Sequence, residues 1–234
     1  DGGAPLACLS DVKANTDVVV VRRVSTCISG TAACPAVAGA PYFQASLCNS
    51  ATQLGSASVT DQYRLDSNAA SLDRQKRDCA TLAVSRQYLT RVYFIAQNSE
   101  PGDGIPTLKR AEIGAGGVFA IVPLAEGIED LQLEHGIDTD NDGMPNVLTA
   151  DPTSYAGCVG AACVTNWSNV VSVKVNILAR STTPSNGFTD TKSYVLGLQA
   201  NGTANTVGPF NNPYRRHVFQ SEVRLNNPAG RREK

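Results

Sequence analysis

The stretch LAEGIEDLQLEHGID, residues 124–138, can be folded with either of two periods. Leu124, Ile128 and Leu131 recur as on a helix face. Leu131 and Leu133, set among Asp130, Gln132 and Glu134, alternate as in a strand with one wet face. We read a short turn or helix followed by a strand over about 129–137. That choice decides the fold class, because the segments on both sides carry strand patterns and little of the chain reads as a long helix.

Upstream, TLKRAEI (107–113) and VFAIVPL (118–124) flank GAGG, whose glycines accept positive φ, so the pair reads as a hairpin. SRQYLTRVYFIAQ (85–97) carries bulk on both faces: Leu89, Tyr93 and Ile95 on one, Tyr88, Val92 and Phe94 on the other. TDVVVVRRVSTC (16–27) is a continuous β-branched run, with Val18 to Val21 expected to be buried on both faces of a sheet. Downstream, VVSVKVNILAR (170–180) alternates Val171, Val173, Val175 and Ile177 with Ser172, Lys174 and Asn176. The apolar set is expected to meet the core and the polar set water. KSYVLGL (192–198) reads as a further strand. RRHVFQSEVRL (215–225) places Phe219, Val223 and Leu225 inside, and Gln220, Glu222 and Arg224 outside. Residues 28–82 are rich in Ala, Ser, Gly and Cys with little periodicity, and read as long loops. The expected fold is α+β but β-rich: one domain over 1–234, with a twisted antiparallel sheet over 84–226 and a loop-rich region at 28–82.

Cysteines fall at 8, 27, 34, 48, 79, 158 and 163, with only two histidines, His135 and His217, and no CxxC pair. A zinc site is disfavoured, and disulfides in an oxidising compartment fit best. Short loops pair Cys27 with Cys34 and Cys158 with Cys163, and Cys48 with Cys79 completes the set. Cys8 is left over, with a partner expected upstream of Asp1. The chain opens at Asp1 without a methionine or signal peptide, so a processed or truncated N-terminus is expected.

Net charge is −1 with pI near 6.2, which argues against a general nucleic-acid binder. The basic pairs Arg22-Arg23, Arg215-Arg216 and Arg231-Arg232 read as solvated faces. No apolar run reaches the roughly eighteen residues that span a bilayer. There is no nucleophile elbow and no HExxH pattern. His135 and His217 read as strand-edge or satisfied polar groups, Trp167 as a sheet-edge packing residue, and the carboxylates Glu126, Glu129 and Asp130 as surface charge. No catalytic residue is expected.

The exception is DTDNDG, residues 138–143. Asp138, Asp140 and Asp142 occupy the first, third and fifth places of a calcium loop, and Gly143 at the sixth allows the bend. Met144 offers its backbone carbonyl, and Asn146 takes the ninth place directly or through water. The twelfth place is Thr149 in place of a bidentate glutamate, so Asp151 or a more distant carboxylate is needed to complete the set. The competing reading is an Asx-rich turn without an ion. Calcium is favoured, in a structural role.

The ordered segments TDVVVVRRVSTC, YLTRVYFIA, TLKR, LAEGIEDLQLEHGIDTDNDG, VVSVKVNILARS and HVFQSEVRLNNPAGRR resemble the PilW family of type IV minor pilins over about residues 16–232. LAEGIEDLQLEHGID and VKVNILA are more loosely similar to J-type pseudopilins of type II secretion. The resemblance implies a pilin-like globular headgroup without its N-terminal hydrophobic helix, which would lie upstream of Asp1 and anchor the protein in the inner membrane. It implies a non-enzymatic role in priming pilus assembly and in the pilus tip complex. Partners would be other minor pilins and a tip adhesin, first on the periplasmic side and then in the fibre or at the cell surface. A J-type pseudopilin, or a secreted calcium-dependent β-domain binding a glycan or adhesin, remains the alternative.

Overall fold

A computed structural model describes residue 9, residues 11–113 and residues 119–230. Cys8, the GAGG turn and the Arg231-Arg232 pair lie outside these residues. Among them the strands run β1 (Val19–Val24), β2 (Tyr42–Ala45), β3 (Tyr63–Asp66), β4 (Ser85–Ala96), β5 (Thr107–Ile113), β6 (Phe119–Glu126), β7 (Ile128–Ile137), β8 (Val147–Thr149), β9 (Val170–Arg180), β10 (Tyr194–Leu198), β11 (Ala204–Val207) and β12 (Arg216–Arg224). The helices are short: α1 (Ala51–Leu54), α2 (Val59–Gln62), α3 (Ala161–Ser168) and α4 (Asn226–Gly230). The expected β-rich, antiparallel architecture is present. The chain separates into two compact units. One comprises the described residues within Asp1–Val18, Phe94–Lys109 and Pro123–Lys234, the other those of Val19–Tyr93 and Arg110–Val122.

In the second unit β4 organises a sheet ordered β3-β2-β4-β5-β6, and β1 also pairs with β4, from Val19 opposite Tyr93 to Val24 opposite Tyr88. The Gln87 carbonyl accepts the Ser25 N–H, whereas the Tyr88 N–H donates to the Pro41 carbonyl. Successive residues of a strand direct their backbone groups to opposite edges, so β1 and β2 flank β4 on opposite sides. Among the described residues no second strand pairs with β1, so it is an edge strand there. This corrects the expectation that Val18–Val21 is buried on both faces: Val20 and Val21 are 43% and 41% exposed.

The region 28–82 is more ordered than its composition implies. β2 and β3 pair over Tyr42–Ala45 and Tyr63–Asp66. Ala40, Tyr42 and Leu72 form a small buried cluster. Buried Gln44 clamps the adjacent loop, its amide donating to the Ala83 carbonyl and its oxygen accepting the Arg74 N–H. Disulfides join Cys27 to Cys34, Cys48 to Cys79 and Cys158 to Cys163, the three expected pairings.

In the first unit β12-β9-β7-β8 form an antiparallel sheet. The 124–138 ambiguity resolves as strand throughout: β6 runs to Glu126, Gly127 turns at φ 76°, and β7 follows. A side chain on Gly127 would collide with the Arg180 carbonyl, so the turn requires glycine. The core gathers Phe94, Ile95, Ile137, Val171, Leu178 and Leu196, each at most 1% exposed.

The faces of this sheet follow the expectation only in part. On β9 Val171 is buried as expected, but so are Ser172 and Asn176 of the polar set, while Val173, Val175 and Ile177 are only partly covered. On β12, Phe219 and Val223 are 55% and 53% exposed. The deeper face is covered by β10, which comes so close that a Cβ on Gly197 (φ 83°) would lie 2.6 Å from Glu134 Oε2 and 2.7 Å from Asn176 Nδ2. The polar groups there are satisfied. Asn176 Nδ2 donates to Glu134 Oε2 at 3.0 Å, Gln220 donates to Asn176 Oδ1 at 2.7 Å, and Lys174 Nζ lies 3.2 Å from Glu134 Oε2.

Candidate functional site

The acidic loop closes the β7–β8 hairpin. Ile137 pairs with Val147 and His135 with Thr149, and the Asn146 N–H donates to the Ile137 carbonyl at 2.9 Å. β7 thus ends directly at Asp138, which is fully buried. Its Oδ1 accepts the Asp140 and Asn141 N–H groups at 3.2 and 2.7 Å, and its Oδ2 accepts that of Gly143 at 3.0 Å. These donors bend the loop around one carboxylate and offset its negative charge. Asn141 takes the bend at φ 62°, a conformation asparagine tolerates.

Asp138, Asp140 and Asp142 each bring an oxygen within 4.8 Å of the others, with Asp140 and Asp142 exposed. Three hard oxygen donors at that spacing match a divalent cation better than a softer metal. Asp142 Oδ1 also accepts the Met144 N–H at 2.7 Å, while the Met144 side chain points largely to solvent. Asn146 stands beside Asp140, its Nδ2 donating to Asp140 Oδ2 at 3.3 Å. Its own oxygen accepts the Thr139 N–H and hydroxyl, so the amide would have to turn over to ligate an ion. Thr149 and Asp151 are engaged in their own turn: the Thr149 hydroxyl bonds the Asp151 carbonyl, and Asp151 Oδ1 accepts the Thr153 N–H.

The histidines are separate from this cluster. His135 Nδ1 lies 3.2 Å from the Ala150 carbonyl, and burial holds its pKa below the usual value. Its ring meets Trp167 edge-on at 4.9 Å, and Trp167, on α3 and 46% exposed, donates to Thr153 Oγ1. His217 rests edge-on against exposed Phe219.

Two surface-charge readings are corrected. Glu129 is buried, and the Arg216 side chain is fully buried. Arg216 Nε donates to Glu129 Oε2 at 2.5 Å and Nη2 to Oε1 at 3.2 Å, a two-pronged contact. Its Nη1 donates to Asp190 Oδ2 at 2.9 Å and to Asn212 Oδ1 at 2.8 Å, and the guanidinium stacks 3.7 Å from the Phe210 ring centre. Tyr194 completes the cluster by donating its hydroxyl to Asp190. No local pattern marks these residues, because the partners come from β7, β12 and the segments around β10.

No helix among the described residues is long and apolar enough to cross a membrane. Neither the curated proteins nor the solved structures contain a match to the chain. The model of one protein family, PilW, described as type IV pilus-assembly protein W, matches residues 92–227. The match begins within β4 and ends in α4, so it takes in the acidic loop and the whole β12-β9-β7-β8 sheet. A pilus-assembly role accords with the disulfides, which belong to oxidising compartments outside the cytoplasm. Spanning more than half of the 234 residues, the match establishes that the chain belongs to the PilW family of type IV pilus-assembly proteins.

Proposed function

We propose that this chain is the globular headgroup of a minor pilin, a non-enzymatic subunit that helps to prime type IV pilus assembly and takes its place in the complex at the pilus tip. The family match over residues 92–227 carries this reading. Its partners are other minor pilins and a tip adhesin. It acts first on the periplasmic side of the inner membrane and then in the fibre or at the cell surface. Deleting the gene is expected to reduce surface pili, counted by electron microscopy of negatively stained cells, with recovery on complementation. Normal piliation in the deletion strain rejects the role.

The acidic loop belongs to the same reading as a calcium site, with Asp138, Asp140 and Asp142 as carboxylate ligands, the Met144 carbonyl, and Asn146 after its amide turns. The support is the convergence of the three carboxylates. Calcium suits a loop with many oxygens and flexible geometry, whereas magnesium keeps most of its waters. Its work is structural, fixing the β7–β8 connection. Asp140 is the residue to test, since Asp138 also holds the backbone. In titration calorimetry the native chain is expected to take up calcium, with Asp140→Ala weaker by about tenfold or more. Absence of heat in both proteins eliminates the site.

A further inference from the structure

β1 has a neighbour on one side only. It pairs with β4, and among the described residues no backbone group of another strand or loop bonds its outer edge, where the side chain of Arg23 reaches the Val24 carbonyl at a long 3.5 Å. Hydrogen-bonding groups on that edge lie in the plane of the sheet, so an element packed on either face leaves them open. Its six residues, VVVRRV, contain no proline. The opposite end of the sheet differs, because Pro123 within β6 removes a donor there.

The charge on this edge is of one sign. Arg22 and Arg23 are exposed, and neither forms an ion pair among the described residues. The unit around them, Val19–Tyr93 with Arg110–Val122, holds nine Lys and Arg against five Asp and Glu, although the whole chain carries −1. Bare arginines repel a second copy of the same strand, which is how edge strands are kept from pairing with themselves. The same charges attract an acidic strand. We infer that the outer edge of β1 docks an extended, acidic, β-branched segment of another protein, which pairs backbone to backbone with Val19–Val24 and sets carboxylates against Arg22 and Arg23. This goes beyond the assembly role and stands without it.

The test uses the chain as it is and three labelled synthetic peptides of about nine residues, each with its charged residues in adjacent pairs so that both faces of the strand carry them: Val with Glu, Val with Lys, and Pro with Glu. Fluorescence anisotropy is expected to show the Val–Glu peptide binding at least about tenfold more tightly than the Val–Lys peptide. The Pro–Glu peptide, acidic but short of backbone donors, should not bind. Amide exchange should slow at Val19–Val24 when the Val–Glu peptide is bound. The paired substitution Arg22→Glu/Arg23→Glu should transfer the preference to the Val–Lys peptide, a gain that no misfolded variant would show. Equal binding of the Val–Glu and Pro–Glu peptides, protection away from β1, or self-association through this edge in sedimentation each overturns the inference.

Discussion

Replacing Arg216 by methionine is expected to lower the free energy of unfolding by about 3–5 kcal/mol, because it leaves buried carboxylates without their counter-charge. The methionine fills much of the volume of the arginine stem, so the loss reports charge and hydrogen bonding rather than a cavity. Glu129 loses both donors of the fork, and among the described residues Asp190 keeps Tyr194 and the Lys192 N–H. Lys13 does not replace them. Its ammonium donates to the Glu129 backbone carbonyl at 2.6 Å and stands 4.0 Å from Glu129 Oε1, too far to bond the carboxylate. Arg216→Lys keeps a charge without the fork and should fall between the two. Urea denaturation followed by circular dichroism measures the effect, with Arg215→Ala on the exposed neighbour as a comparison expected to cost at most about 1 kcal/mol, for its stacking on Phe188. A loss for Arg216→Met no larger than that comparison would show that the cluster does not hold the fold. Acid acts on the same site. Burial alone would raise the Asp190 carboxyl, but Arg216 and Tyr194 outweigh it and hold it below its ordinary 3.8. A carboxyl depressed in the folded state contributes stability that is complete above the unfolded value and disappears as pH falls through the folded one. That share of the acid sensitivity, below about pH 4, should be missing from Asp190→Asn.

Removing the Cys48–Cys79 bridge as Cys48→Ala/Cys79→Ala is expected to cost about 3.5 kcal/mol, from the loop entropy restored to the unfolded chain. The bridge closes a sequence separation of 31. Within it lie α1, α2 and β3, short elements with little apolar burial of their own. Against them stand a small buried cluster and the Gln44 clamp. The separations of 7 and 5 at the other two bridges make each worth about 2 kcal/mol on the same reasoning. Thermal unfolding gives the total, and amide exchange gives its place: exchange should quicken across residues 42–82 while β7 and β9 stay protected. Unchanged exchange in residues 42–82 would assign the constraint elsewhere.

Local pattern reaches some of this molecule and not the rest. β4, β7 and β9 are legible because alternation persists along ten or more residues, and at 124–138 the strand period prevails once β9 is available to pair with it. The disulfide pairs are legible because short separations limit the partners. The convergence of Asp138, Asp140 and Asp142 follows from alternate spacing in a tight bend. What alternation does not encode is which face meets more protein. Asn176 is buried because β10, a strand some twenty residues later, folds over it, and Ser172 is buried beside Gly136 with its hydroxyl donated to Glu222 on β12. β2 and β3 are missed because four residues are too few for a period to register. Arg216 reads as half of a solvated pair because its partners Glu129 and Asp190 lie 87 and 26 residues away.

The Cys48–Cys79 bridge also acts under mechanical load. If the two ends of the chain are pulled apart, tension crosses the sulfur–sulfur bond and bypasses the enclosed segment. With a separation of 31 residues, roughly 100 Å of contour is withheld from extension. The pulled chain is correspondingly shorter, and α1, α2 and β3 hang outside the line of force, unloaded even after the strands around them have come apart.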